Sequence, residues 1–528
     1  RSTPQPSSAA SDVYKRQPLM ISGSDFSFTD TLAIEIKSPG EPHRRTFISR
    51  IDSSCQYFAV LPPANFSPEK TYALIYALHG AGVKAENLVG AYKPKDWAYV
   101  VAPTNRRPFG FDWEDWGRLD ALEVLDLVLD SYPIDPDRVY LTGHSMGGHG
   151  SWHIGLLYPD RFAAMAPEAG WIRFDLYIPW FLQKSYVLGE PWQRLPRDMC
   201  LTETSPVRYL KNALHLPIFI LQGGADDNVP PVHSRSFARE LEHLGYDYEY
   251  LEIPGRPHWW RIESLDVTCV DHPRLLEFLK HHRRNLAPAT ICFYTSNIST
   301  ARKCYWVEIL LQEVPFTESS ISATLKQNEI EIRTKNVRAF RIAPPKELLP
   351  HETVKLVVDG KEWLMGLKDT SGLVFSKVSN RFKLCPAFRK ELSKRPGLYG
   401  PIKQAYFSPF VLVYGTMGDS VCTNLLLHNA RTQAITWWLR GNGYTEILPD
   451  TSVTDEIIQQ YNLIILGSSN DNQLTSALER RLPIKRTKDG FKVGRRKFTG
   501  KGLSAVFVYP NPLAPRKLVL IYEGVDLE

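Results

Sequence analysis

The chain has 528 residues, a formal charge of +6, 43% hydrophobic residues and 23% charged ones. That length holds about two to four domains, and the balance is that of an ordinary globular protein. The small positive excess, with no Lys/Arg stripe interleaved with aromatics, excludes a nucleic-acid partner, and no apolar window reaches the length of a membrane-spanning helix.

Residues 1–17, ending in Asp12-Val13-Tyr14-Lys15-Arg16-Gln17, read as translated adapter sequence. Residues 1–20 are therefore expected to be disordered or artefactual, with the true N-terminus missing. The compartment is then unknown, a secreted or periplasmic placement being the one in view.

From 21 to 287 strands and helices alternate, which predicts a mostly parallel sheet with helices on its faces. An apolar strand, Thr71 to Leu78, runs into His79-Gly80-Ala81-Gly82. An aromatic loop, Phe109 to Gly117, leads into an amphipathic helix from Leu119 to Leu129. The strand Arg138 to Leu141 feeds Gly143-His144-Ser145-Met146-Gly147-Gly148 and then a helix, Gly150 to Leu157. A long connection, Trp171 to Tyr209, carries Trp171, Phe174, Trp180, Phe181 and Trp192 and is expected to form a cap or pocket wall. The strand Leu216 to Leu221 ends in Gln222-Gly223-Gly224-Ala225-Asp226-Asp227-Asn228-Val229. A helix from Val232 to Leu244 and a strand from Tyr248 to Ile253 follow, ending in Pro254-Gly255-Arg256-Pro257-His258-Trp259-Trp260.

Residues 288–390 hold short strand-like runs at Thr290–Tyr294, Tyr305–Leu311, Ser320–Leu325, Glu329–Thr334 and Thr353–Val358. With a hairpin signal at Asp359-Gly360, they predict a small β-sandwich. Residues 391–528 alternate again: strands at Phe410–Tyr414, Leu463–Leu466, Ala505–Val508 and Leu518–Tyr522, helices at Val421–Arg440 and Thr454–Gln459. This predicts a small doubly wound α/β module. Its loop Gly415 to Asp419 lacks a complete phosphate-binding motif and reads as a structural turn.

The chemistry concentrates at Ser145. G-x-S-x-G between a strand and a helix is the nucleophile-elbow pattern, in which flanking glycines permit a tight turn that exposes the serine. A serine hydroxyl needs a general base, and the base an orienting carboxylate. His258 and Asp226 each follow a strand, in the chain order Ser, Asp, His, and so are expected at the same sheet edge. Asp227 is the second candidate for the carboxylate. Alone, the aspartates would read as a helix N-cap pair and His258 as a loop histidine. The oxyanion donors are expected at the amides of Met146 and Ala81, with Gly80 an alternative. His79, at the end of a buried strand, is expected to order that loop.

Trp113, Trp171 and Trp259 are candidate walls of a substrate pocket, or core residues. His149 and His153 lie four apart on the helix after the elbow, but without the glutamate of H-E-x-x-H they read as packing residues. The seven cysteines contain no C-x-x-C pair, so no zinc site is expected. One disulfide, Cys200–Cys269 or Cys292–Cys304, stays open. No metal or organic cofactor is called for.

The segments His79-Gly80, Gly143 to Gly148, Gly224 to Val229 and Pro254 to Trp259 together resemble the α/β-hydrolase catalytic domain of the prolyl oligopeptidase family. Ile134-Asp135-Pro136-Asp137-Arg138-Val139-Tyr140 is also similar to that family and to feruloyl and polyhydroxybutyrate-type esterases. The resemblance covers about Arg45 to Leu286 and implies a Ser145–Asp226–His258 triad working through an acyl-enzyme on an ester or peptide. Family peptidases carry a β-propeller ahead of this domain. About 45 residues precede it here, which favours an esterase, with an acylated glycan among the candidate substrates. The competing reading is a non-catalytic glycan-binding protein built on a hydrolase scaffold, and a further one gives the C-terminal module a nucleotide.

Overall fold

The computed structural model describes all residues except 1–13, 23–26, 36, 38–39, 174–176, 178–189, 350–352, 367–371, 386–392 and 526–528. Eight strands form the central sheet: β1 (His43–Ile48), β2 (Cys55–Leu61), β3 (Tyr72–Leu78), β4 (Ala98–Ala102), β5 (Ile134–His144), β6 (Ala164–Glu168), β7 (Ile218–Gly223) and β8 (Tyr248–Ile253). Their order is β8-β7-β6-β5-β3-β4-β2-β1. Strands β3 to β8 run parallel, and β2 and β1 add antiparallel at one edge. The parallel strands are apolar runs because helices cover both faces: β3, β4, β6 and β7 are buried at every position. The helices that matter below are α1 (Asp115–Ser131), α2 (Met146–Leu157), α3 (Pro191–Glu203), α4 (Val232–Leu244) and α5 (Pro273–His281). Among the described residues no helix is long and apolar enough to cross a membrane.

The next segment folds as two five-stranded sheets. One takes Thr290–Thr295, Ser319–Lys326, Glu329–Lys335, Thr353–Val358 and Lys361–Gly366. The other takes Lys303–Cys304, Val307–Gln312, Val337–Ile342, Leu373–Val378 and Arg381–Cys385. The hairpin at Asp359-Gly360 forms, both residues having positive φ (46° and 81°), as a two-residue turn that matches strand twist requires. The sandwich shares one core with the hydrolase domain, and Asn212 Nδ2 donates to Leu156 O on one side and Tyr294 O on the other (2.8 and 3.0 Å).

The last segment is a five-stranded sheet ordered Glu446–Pro449, Phe410–Tyr414, Asn462–Leu466, Ala514–Gly524, Ser504–Asn511, the final strand antiparallel. Its long helix is α6 (Ser420–Gly441), capped by Asp419, whose carboxylate accepts from Cys422 N. A side chain at Gly415 would overlap Asp471 O, so the 415–419 loop is packed against the chain's own 471 loop.

The structure departs from the sequence reading in places. Residues 14–22 pair with 27–35 as an antiparallel hairpin. Strands Val337–Ile342, Leu373–Val378 and Arg381–Cys385, and a three-stranded sheet over Ile484–Thr499, were not expected. All seven cysteines are unbridged, and Cys200 is exposed where Cys269 is buried. Phe174, Trp180 and Phe181 of the expected cap lie outside the described residues.

Candidate active site

The turn between β5 and α2 places Ser145 at φ 62°, ψ −118°, a backbone conformation that a serine adopts only when its surroundings impose it. Those surroundings are close-packed. A side chain at Gly147 would overlap Leu78 O, and one at Gly143 would overlap Gly147 O, so both positions require glycine. The Ser145 amide donates to Glu168 O at the end of β6 (2.9 Å).

Asp226 follows β7 and His258 follows β8. His258 Nδ1 lies 2.8 Å from Asp226 Oδ2. The carboxylate is buried and fully served: Oδ1 accepts from the amides of Asn228 and Val229 (3.0 and 2.9 Å), and Oδ2 also accepts from Gln222 Nε2 (3.0 Å). Burial alone would raise its pKa, but the hydrogen bonds from His258 and from those amides outweigh it and hold the carboxyl below its usual range. Gln222 is fixed in turn by Ser234 Oγ at 2.7 Å. Asp227 is exposed. The His258 ring is 4.6 Å, centroid to centroid, from the ring of His144, the residue before Ser145. Neither Ser145 Oγ nor His258 Nε2 has a hydrogen-bond partner among the described residues. Such contacts often tighten only around bound substrate.

The loop after β3 lies over the elbow: a Cβ built on Gly80 would sit 3.5 Å from Ser145 Cβ. The amides of Ala81 and Met146 have no acceptor among the described residues. His79 is buried and neutral in tendency, its pKa lowered by burial. It lies 3.0 Å from both Gly80 O and Thr104 O, and a neutral ring donates to only one of them, which ties the loop down.

The three tryptophans part company. Trp113 has no exposed surface and therefore lines no open pocket. Its indole N–H donates to His79 O (3.0 Å) and it fills the space beside Gly150, so it is core beneath the loop. Trp171 is buried between His149 (4.7 Å, 9°) and Tyr177 (4.5 Å, 10°) as the middle ring of a stack. Trp259 is 44% exposed, edge-on to His144 at 5.1 Å. Phe109, 74% exposed, packs over Gly82 and adds a second aromatic to the rim.

His149 donates Nδ1–H to Trp171 O (3.0 Å), and its Nε2 meets Glu114 Oε1 (3.1 Å). Because a carbonyl only accepts, the pair must hold a proton between Nε2 and the carboxyl. Burial pushes the Glu114 carboxyl well up and the His149 imidazole down to about 4. His153 stacks alongside His149. No group of three or more His, Cys, Asp or Glu side chains among the described residues is placed to hold a metal.

Two residues of the site escaped the sequence reading. His144 Nε2 donates to His258 O at 2.7 Å. Glu168 is buried, its pKa pushed up to about 8 by desolvation. Thr142 Oγ1 lies 3.0 Å from Ala166 O and 3.1 Å from Glu168 Oε1. Its single hydroxyl hydrogen is within reach of both acceptors and serves one at a time. Only the strand ends meeting at β5 and β6 could have revealed this.

The family model described as "Prolyl oligopeptidase family" matches residues 106–285, the stretch that holds the elbow, Asp226 and His258. The match covers about a third of the chain, and this stretch is similar to that family's domain. An uncharacterized secreted protein of Arthroderma benhamiae is 28% identical over 226 residues, 39% of this chain and 23% of that protein. Dipeptidyl-peptidase 5 of Aspergillus oryzae is 25% identical over 245 residues, 42% of this chain and 33% of that one. Poly(3-hydroxyalkanoate) depolymerase C of Paucimonas lemoignei is 32% identical over 117 residues, 18% and 27% of the two chains. The chain thus spans a third or less of the length of these relatives. Its central sheet, with β1 and β2 antiparallel and β3 to β8 parallel, has the α/β-hydrolase arrangement.

Proposed function

We propose that the protein is a serine hydrolase that works through an acyl-enzyme, with Ser145 as nucleophile, His258 as general base and then acid, and Asp226 as the anchor of the imidazole. The observation that carries this is the strained Ser145 at the β5–α2 turn beside a His258–Asp226 pair at 2.8 Å. Asp226 accepts the hydrogen bond from Nδ1–H, which leaves Nε2 with its lone pair free to take the proton from the serine as it attacks a carbonyl. The amides of Met146 and Ala81 receive the developing oxyanion. His258 then protonates the leaving group, and water repeats the sequence in reverse.

The reading leans to carboxylic esters, acylated glycans among them. The exposed aromatic rim of Phe109 and Trp259 supports it, since apolar walls with few polar groups suit an acyl chain, as does the similarity to a protein named as a polyester depolymerase. A peptide substrate is the second reading, favoured by the match to a dipeptidyl-peptidase. A secreted placement is supported by the Arthroderma relative's name. Ser145→Ala tests the core of the proposal. It is expected to abolish p-nitrophenyl ester turnover and fluorophosphonate labelling with an unchanged circular dichroism spectrum. Labelling that survives the substitution rejects it.

A further inference from the structure

Asn105 and Arg106 are adjacent residues in the left-handed region, with φ 53° and 62°, and both are buried. Each such residue costs on the order of 1–3 kcal/mol unless its surroundings hold it. Arg106 is held from two directions. Within the hydrolase domain its Nη2 donates to Asp52 Oδ2 and Ser54 Oγ (2.6 and 2.9 Å), and Nη1 to Ser49 Oγ (3.3 Å). From the C-terminal module, Gly441 O accepts from Nε at 2.7 Å, and the Trp437 ring lies under the guanidinium, 5.1 Å to its centroid. Trp437 Nε1 and Tyr444 N donate to the same Asp52 Oδ2 (2.8 and 3.1 Å). One carboxylate thus joins the arginine to the distant module.

Asn105 faces the other way. Its Nδ2 lies 4.0 Å from Met146 Sδ, and its Oδ1 accepts from the amides of Phe111 and Trp113 (3.2 and 3.4 Å). Trp113 donates to His79 O, at the start of the loop that carries Ala81. Farther along the chain, Phe111 in the loop and Trp116 in the first turn of α1 pack on Trp437 (6.4 and 5.4 Å), and Trp116 Nε1 donates to Tyr406 O (2.9 Å). A single segment, the strained loop after Asn105 together with the first turn of α1, therefore touches the C-terminal module on one side and both amide-donor segments on the other.

We infer that the C-terminal module braces the oxyanion site. Through Arg106 it holds Asn105 and Trp113, and through them the amides of Met146 and Ala81. Arg106 and Asn105 are positioning residues for the reaction proposed above, on which this inference rests. A displaced oxyanion donor weakens binding of the transition state and leaves ground-state binding almost unchanged. A loosened brace therefore lowers kcat and spares KM, and the pH profile, which belongs to the triad, stays in place.

The test uses the full chain. Arg106→Lys keeps the charge and loses the link to Gly441, Trp437→Ala removes the ring and the donor to Asp52, and Trp437→Phe keeps a ring and loses only that donor. Each variant is assayed for kcat and KM on p-nitrophenyl esters per fluorophosphonate-titrated site, for the pH profile of kcat/KM, and for thermal unfolding. Arg106→Lys and Trp437→Ala are expected to lose about 10- to 100-fold in kcat with KM within about twofold and the profile unshifted, and Trp437→Phe to lose less. A folded Arg106→Lys or Trp437→Ala chain with wild-type kcat, or a loss fully explained by fewer titratable sites, overturns the brace. A wild-type chain that fluorophosphonate does not label overturns the hydrolase reading itself, a result distinct from either of those.

Discussion

His144 donates its Nε2–H to the carbonyl oxygen of His258 at 2.7 Å, so the residue before the nucleophile holds the main chain of the residue that would activate it. The His144 ring is buried, and desolvation pushes its pKa down to about 3. It therefore stays neutral across the working range and acts as a fixed donor. His144→Phe preserves the ring and removes the donor. The His258 loop is then expected to drift and kcat on p-nitrophenyl esters to fall about 10- to 100-fold. Steady-state kinetics at saturating substrate checks this, and an unchanged kcat would show the tie to be dispensable.

Asp226→Asn keeps the shape of the anchor and can present its amide N–H toward the histidine. The imidazole then loses its acceptor for Nδ1–H, and the tautomer with Nε2 free is no longer selected. A fall of about 10^3- to 10^4-fold in kcat is expected, with Ser145 labelling by fluorophosphonate slowed in parallel. Labelling and turnover near wild type would remove Asp226 from the site.

Glu168 gives a pH signature in stability. Its folded pKa is raised from 4.5 to about 8. Between those values the native state holds a proton that the unfolded chain has released. This contribution is therefore fully present below about pH 4.5 and is lost as pH rises to 8, by on the order of a few kcal/mol. Glu168→Gln cannot ionise. The variant and wild type are expected to unfold at similar denaturant concentrations near pH 4.5, with the variant ahead by a margin that grows up to about pH 8 and then stays constant. Parallel curves across that window would show Glu168 to be ionised in the folded state.

Gly147→Ala places a methyl group against Leu78 O, which is main chain and cannot swing aside. Overpacking of this kind costs about 1–3 kcal/mol or more, and here it also shifts Ser145. The soluble fraction is expected to label with fluorophosphonate far more slowly than wild type. Wild-type labelling would mean that the elbow accommodates a side chain.

The elbow was legible in the sequence because its constraints are local: two glycines, a serine, a strand before and a helix after. Helix α4 and strand β8 coincide with their expected bounds because amphipathic and apolar runs are bracketed there by turn residues. Asp226 and His258 could be placed through the order of strands alone. What the sequence hid is set by side chains that meet across the sheet. Trp113 looked like a pocket residue because an aromatic loop precedes α1, and only the packing shows that the indole is consumed by His79 and Gly150. The tie from His144, the contact of Thr142 with Glu168 and the reach of Gly441 to Arg106 depend on pairs 26 to 335 residues apart and leave no local trace.

The shared carboxylate of Asp52 binds Trp437 across 385 positions of the chain. During synthesis the hydrolase core emerges well before that partner exists. Its strained loop must wait, its arginine only half satisfied, until the late segment docks. Catalytic competence would then be a property of the finished polypeptide, and a nascent or nicked chain would carry the triad with its machinery still slack.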